Sequence, residues 1–252
     1  MSPAGHGDAG TLAGQVAIVS GSSSGIGEAT ARRLADAGAA VVVNSSTSVE
    51  AGERVANRLP QAIYVQGSVA DEASCQRLVA TAIERFGRLD ILINNAGTTQ
   101  LIPHADLDAV TDEIFHRILD VNLLGTWYLT RAALPHLKQS PAGVVVNVTS
   151  VAGLRPTGSS IPYAVSKAAI NHLTVLLAKV CGPVRINAVA PGLVATPWTK
   201  DWAGLHAMVA QNAPLGRSAT AEDIADAIYG VVISKYMTGE IVCVDGGLSL
   251  VS

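Results

Sequence analysis

Short runs of Val, Ile and Leu alternate along this chain with amphipathic segments of helix length, and that alternation restricts the fold more than any other feature. The predicted strands are Val16–Ser20, Ala40–Asn44, Ala62–Gln66, Leu89–Ile93, Val144–Val148, Val184–Val189 and Glu240–Val244. Most are apolar on successive residues, as strands covered on both faces must be. Between them lie helix-length segments at Gly25–Ala37, Ala73–Phe86, Leu119–Leu137, Tyr163–Val180 and Ala221–Ile233. Strand and helix in strict turn give βαβ units and a parallel sheet. Right-handed crossovers place helices on both faces of a doubly wound α/β sheet, with a ligand crevice beyond the carboxyl ends of its strands.

The chain has 252 residues, and no linker, low-complexity block or charge run divides it. A single domain over 14–252 is expected, preceded by a Gly-rich, flexible tail over 1–13. That tail lacks the basic start and apolar stretch of a signal peptide. Residues 193–214 interrupt the rhythm with Trp198, Trp202, His206 and Met208, and a long insertion after a strand suits a substrate loop or lid. His206 itself reads as solvated. With 49% apolar and 15% charged residues, a large core is easily built. The net charge of −3 gives no basic face for nucleic acid, and no apolar window is long enough for a membrane span. Cys75, Cys181 and Cys243 lack metal-ligand spacing, so no metal is expected; their odd, sparse number suits a reducing, cytoplasmic compartment.

Directly after the first strand, Ser20-Gly21-Ser22-Ser23-Ser24-Gly25-Ile26-Gly27 opens a helix. Glycines allow a sharp turn and close approach to a pyrophosphate, for which the helix start supplies free N–H groups and a positive dipole end. At the end of the second strand, where NAD sites carry an acid that grips the ribose, stand Asn44, Ser45, Ser46 and Thr47. A carboxylate there would repel a 2′-phosphate. Its absence favours NADP over NAD, with hydroxyls rather than an arginine available to the phosphate.

Tyr163 and Lys167, four residues apart, share one face of a helix. An ammonium beside a phenol favours phenolate and lowers its pKa toward the range useful for acid–base work. Ser150 closes the strand at Val144–Val148, Asn94-Asn95-Ala96-Gly97 closes the fourth strand, and Asn122 lies in an adjoining helix. All of them fall at the rim where the crevice is expected.

These motifs, with Pro191-Gly192, resemble the short-chain dehydrogenases/reductases from about Gly14 to Gly247. The resemblance implies a Rossmann-type fold and an NAD(P)(H)-dependent oxidoreductase moving a hydride between nicotinamide and a carbonyl or alcohol carbon. Tyr163 would be the acid or base and Lys167 would hold the nicotinamide ribose. Ser150 would position the reacting oxygen, and Asn122 would kink its helix and hold a relay water. Coenzyme contacts would come from Gly21, Ser23, Ser24, Gly25, Ile26, Gly27, Asn44, Ser45, Ser46, Thr47, Ser68, Val69, Asn95, Ala96, Gly97, Pro191, Gly192, Val194 and Thr196. Substrate contacts would come from Ala152, Ile161, Leu193, Trp198 and Trp202 beside Ser150 and Tyr163, with Thr98 and Val151 as further wall candidates. Ser68 departs from the family's aspartate before the adenine-contacting valine.

The resemblance also implies a homotetramer, or failing that a homodimer, acting on a small carbonyl or alcohol substrate. A non-catalytic dinucleotide sensor would have no need of the Asn, Ser, Tyr and Lys set. A nucleotide-sugar epimerase or dehydratase would resemble a longer branch with more chain after Gly247.

Overall fold

The structure, a computed structural model, describes residues 10–251. Its elements run β1 (Val16–Val19), α1 (Gly25–Asp36), β2 (Ala40–Ser45), α2 (Val49–Arg58), β3 (Ala62–Gln66), α3 (Glu72–Phe86) and β4 (Ile91–Asn94). There follow α4 (Asp112–Leu119), a π turn at Asp120–Leu124, α5 (Gly125–Leu137), β5 (Val144–Val148), α6 (Ile161–Val180) and β6 (Arg185–Pro191). The last part holds β7 (Val194–Ala195), α7 (Ala203–Asn212), β8 (Ala219–Thr220), α8 (Ala221–Ile233) and β9 (Ile241–Val244). All seven expected strands form, with ends that shift by no more than two residues.

Strand order in the main sheet is β3-β2-β1-β4-β5-β6-β9, and every pairing is parallel. The order reverses between β1 and β4, which opens the crevice at their carboxyl ends. Alternate residues of each central strand feed opposite cores. Ala17, Val19, Val41, Val43, Ile91 and Ile93 pack with Leu34 of α1 and Ile224 and Ile228 of α8. Ile18, Val42, Leu92 and Val145 pack with Leu78 of α3 and with Leu129 and Leu137 of α5. The period-two geometry of a strand makes one sheet serve two layers.

Helix ends are closed by identifiable groups. Asp71 and Thr111 cap α3 and α4 by accepting from Ser74 N and Ile114 N, and Thr220 and Asp223 form a reciprocal capping box on α8. The far end of α8 is closed from outside the helix. The Arg185 guanidinium donates to the carbonyls of Val231, Val232 and Ser234 at 2.7–3.2 Å, satisfying orphan acceptors of the last turn.

Three differences from the sequence reading concern segments rather than the frame. The expected helix over Leu119–Leu137 is a π turn leading into α5, preceded directly by α4. Residues 193–214 are not a bare loop: they hold β7, which pairs with β8, and the helix α7. Nor does a flexible tail extend to Ala13. Residues 1–9 lie outside the described part, but Leu12 is 3% exposed, its N–H bonds Ala37 O, and its side chain joins the α1/α8 core. A buried leucine replaced by alanine costs about 2–5 kcal/mol, depending on how far the site collapses. Leu12→Ala is therefore expected to lower the unfolding free energy by about 2–3 kcal/mol in urea titration. An unchanged midpoint would mean that this turn contributes nothing to the core.

Candidate active site

A cavity of about 450 Å³ opens at the carboxyl ends of the strands, along the switch between β1 and β4. Its floor is the turn between β1 and α1. Gly21 has φ +63°, and a Cβ there would stand 2.8 Å from Ala96 Cα. At Gly27 a Cβ would meet Gly21 O at 2.4 Å. Only glycine lets the two loops meet this closely. Polar groups stitch them together: Ser20 Oγ accepts from the N–H groups of Asn95 and Ala96, and Asn95 Nδ2 donates to the carbonyls of Ser20 and Gly21. Asn44 ties in the third loop by donating its amide to Val65 O and Gly67 O.

At the other end of the cavity, Ser150 follows β5 and Tyr163 lies in the first turn of α6. Both line the cavity, and Ser150 lies near enough to the Tyr163 phenol to favour its ionised form. Ser150 Oγ also accepts from Ala152 N at 3.1 Å, which fixes its rotamer. Lys167 is 4% exposed; its Nζ donates to Val148 O at 2.9 Å and stands 5.6 Å from the Tyr163 ring centroid. Trp198 meets the Tyr163 ring edge-on, with centroids 6.4 Å apart and planes at 83°.

Asn122 lies behind this group, fully buried in the π turn. Its Oδ1 accepts from Thr98 N at 2.8 Å, and its Nδ2 donates to Thr98 O and Ser166 Oγ. Ser166 Oγ in turn donates to Tyr163 O at 2.7 Å, so the asparagine braces the turn that carries the phenol. The wider π winding frees the Asn122 carbonyl for the Thr126 hydroxyl at 2.7 Å.

The cavity wall gathers nearly all of the coenzyme and substrate residues expected from the sequence: Gly21, Ser23, Ser24, Gly25, Ile26, Gly27, Asn44, Ser45, Ser46, Ser68, Val69, Asn95, Ala96, Gly97, Pro191, Gly192, Val194 and Thr196, then Ser150, Val151, Ala152, Tyr163, Lys167, Leu193, Trp198 and Trp202. Three do not reach it. Thr47 points away because the chain turns into α2 there, and Ser48 takes its place on the wall. Ile161 starts α6 behind the loop Thr157–Ser159, which supplies the wall instead. Thr98 offers its backbone to Asn122 and not its side chain to the cavity. Leu205, Val209 and Leu248 also line the wall and were not singled out from the sequence, whereas Met208, named there in the lid segment, lines it from α7. Helical spacing of Leu205, Met208 and Val209 was the available signal.

Residues 21–249 match a family profile described as enoyl-(acyl carrier protein) reductase. A protein named as a ketoacyl reductase of the granaticin polyketide synthase, from Streptomyces violaceoruber, is 54% identical over 239 residues, covering 93% of this chain and 96% of its own. The 3-oxoacyl-[acyl-carrier-protein] reductase of Synechocystis is 37% identical over 250 residues, covering 94% and 98%. A crystal structure of a short-chain dehydrogenase/reductase from Burkholderia xenovorans superposes with a TM-score of 0.88 at 37% identity, covering 94% and 98%. The chain belongs to the short-chain dehydrogenase/reductase family. It is an NAD(P)-dependent oxidoreductase acting on carbonyl or alcohol groups.

The cavity of this dehydrogenase/reductase fits a nicotinamide dinucleotide. The cradle at Gly21 and Gly27 leaves room only for bare backbone. Ser24, the N-cap of α1, makes no side-chain capping bond, so the first N–H groups of the helix remain available to a pyrophosphate. Lys167 keeps two ammonium hydrogens beyond the one given to Val148 O, and a Cβ placed on Gly97 would stand 3.7 Å from Nζ.

The electrostatics of the protein alone run against one expectation. Burial pushes the Tyr163 phenol above its ordinary value, and the Ser150 hydrogen bond lowers it only in part. Lys167 is not what lowers it here. Burial acts on the ammonium too, bringing Lys167 down to about 8. Desolvation disfavours whichever form is charged, so the acid rises and the base falls. The Lys167 value has a consequence for stability. Its folded pKa lies below its unfolded value of 10.5, so the unfolded chain binds more protons between pH 8 and 10.5. The cost is complete below pH 8 and fades as pH rises through that window. Without coenzyme, Lys167→Met is expected to be more stable than the native chain at pH 7 by about 1–3 kcal/mol, allowing for the lost bond to Val148 O. Urea titrations at pH 7 and pH 10 should show that gap closing; a constant gap would place the ammonium in water.

Proposed function

We propose that this enzyme reduces, or in reverse forms, an uncharged ketone, aldehyde or acyl-type carbonyl, with Tyr163 as acid and base. The observation that carries the reading is the convergence of Ser150, Tyr163 and the buried Lys167 ammonium on one cavity wall at the carboxyl rim of the sheet. When bound, the nicotinamide supplies or takes the hydride. Ser150 would hold the substrate oxygen, and Tyr163 would give it a proton during reduction or remove one during oxidation. A phenol raised by burial stays protonated near neutral pH, which suits the donor role. Lys167 would hold the ribose hydroxyls, and Asn122 would steady the first turn of α6 and the loop at Thr98.

Among the described residues that line the cavity, Lys167 is the one charged side chain. Leu193, Trp198, Trp202, Leu205 and Met208 make the substrate end apolar, which supports an uncharged substrate. At the adenosine end, Asn44, Ser45, Ser46 and Ser48 border the cavity without a carboxylate, which supports NADP(H) over NAD(H). Ser45 Oγ already has Tyr64 OH as a partner at 2.9 Å, leaving Ser46 and Ser48 freer to meet a 2′-phosphate. Titration of both coenzymes into Tyr163→Phe is expected to give native affinities, tighter for NADP(H), while turnover falls about 10²–10⁴-fold. Tighter NAD(H) binding would overturn the coenzyme preference, and retained turnover would overturn the role of the phenol.

We also infer a homotetramer in a cytoplasmic setting. Exposed apolar side chains on α5 and α6, namely Trp127, Val165, Val175, Leu176 and Val180, support assembly. Three free cysteines support a reducing compartment, and among the described residues no helix is long and apolar enough to cross a membrane. Light scattering is expected to give four times the chain mass; a monomer at micromolar concentration would exclude the assembly.

A further inference from the structure

His206, which the sequence presents as a solvated residue of the lid, has partners on both ring nitrogens. Nδ1 lies 2.7 Å from Ser218 Oγ, and Nε2 lies 3.2 Å from both the carbonyl oxygen and Oγ1 of Thr199. Thr199 Oγ1 gives its one hydrogen to Val194 O at 2.6 Å, so both threonine oxygens can only accept from the ring. Nε2 therefore carries a hydrogen, and in the neutral ring Nδ1 receives the Ser218 hydroxyl. These contacts join three separate pieces of chain. His206 is on α7, Thr199 closes the short helical turn Pro197–Thr199, and Ser218 precedes β8.

Two of these pieces line the cavity. The turn carries Trp198, which faces the catalytic phenol, and begins at Thr196 on the coenzyme side. From α7 come Leu205, Met208 and Val209, which close the substrate end. The helix itself has few other anchors, since Val209 is its one fully buried side chain. An imidazole with two directional bonds at the junction can thus fix the angle between the lid and the wall.

We propose that His206 is a positioning residue that latches the lid helix to the Trp198 turn, and so sets the shape of the substrate end of the cavity. This rests on that cavity being where the carbonyl substrate lies. A serine–imidazole pair at 2.7 Å has the spacing of a nucleophile and its base. Here the second ring nitrogen is oriented by a neutral carbonyl, not a carboxylate, and Ser218 lines neither the main cavity nor the shallow depression beside Lys200. The pair is a tie between segments. Substrate recognition depends on the tie more than coenzyme binding does, because the pyrophosphate cradle stands on other loops.

The test uses the full chain. His206→Ala is expected to raise KM for an uncharged ketone about tenfold or more, while the coenzyme Kd stays within about threefold of native. His206→Gln, whose amide can donate from near the Nε2 position, is expected to recover most of that loss. A second reading needs no substrate: trypsin cuts after Lys200 and Arg217, both exposed and flanking α7, and His206→Ala should be cut there about tenfold faster. Ser218→Ala, which removes one of the two ties, should shift both readings the same way by less. Native KM and native cleavage in His206→Ala would overturn the proposal. So would a glutamine variant as impaired as the alanine one, or a loss shared equally between coenzyme and substrate. A native chain that turns over no uncharged carbonyl would instead overturn the functional reading, and the cleavage comparison would still decide the latch.

Discussion

Burial of the central strands on both faces is the constraint from which the rest of this molecule follows. A strand such as β1 or β4 sends alternate side chains into two different cores, so an unpaired polar group in its interior is costly. Polar residues are therefore pushed toward the carboxyl ends, where Ser20, Asn44, Asn95, Thr149 and Ser150 collect. Some placed deeper are bonded to buried polar neighbours: Asn94 donates to Thr130 and Asn147, Asn147 donates to Thr174, and Asn187 donates to Met237 O, while Asn94 Oδ1 has no partner among the described residues. The reversal of strand order between β1 and β4 then leaves an opening at that polar rim. The site is where the sheet permits chemistry to be placed.

Within that opening, rigid and adjustable parts are divided. The coenzyme end is built from close backbone contacts at Gly21 and Gly27 and from the amide bonds of Asn44 and Asn95, which leave little room for movement. The end that carries Tyr163 and Lys167 is held by α6, itself braced through Ser166 and the π turn at Asn122. The substrate end is made by β7, the Trp198 turn and α7, attached through side-chain hydrogen bonds and a single fully buried residue of the helix. Such a division would keep the proposed proton-transfer geometry fixed while the lid segment differs between relatives.

The electrostatic state of the site follows from the same burial. With the phenol raised and the ammonium lowered, the protein alone keeps Tyr163 protonated and makes the charge of Lys167 costly. Holding a cation in this cleft destabilises the fold, as functional sites commonly do. A bound ligand that hydrogen-bonds the ammonium would offset part of that cost, which couples coenzyme binding to folding stability.

The strands, the α/β class, the glycine cradle and the Ser150–Tyr163–Lys167 set were legible in the residues themselves. Hydrophobic period and short-range spacing are local properties, written into consecutive positions. The π turn at Asn122, the packing of Leu12, the helix α7 and the two-sided bonding of His206 were not. The run over 119–137 keeps an apolar helical pattern straight through the π turn, and Leu12 stands alone in a Gly-rich stretch with no periodicity to mark it. His206, Thr199 and Ser218 have no spacing that announces a contact. Sequence by itself determined which elements form and which chemical groups sit at their ends, because those choices depend on neighbours a few residues away. Tertiary structure alone decided whether Thr47 or Ser48 faces the cavity, which way the buried pKa values move, and what the lid is tied to. Each of those depends on desolvation and on partners brought together from distant parts of the chain.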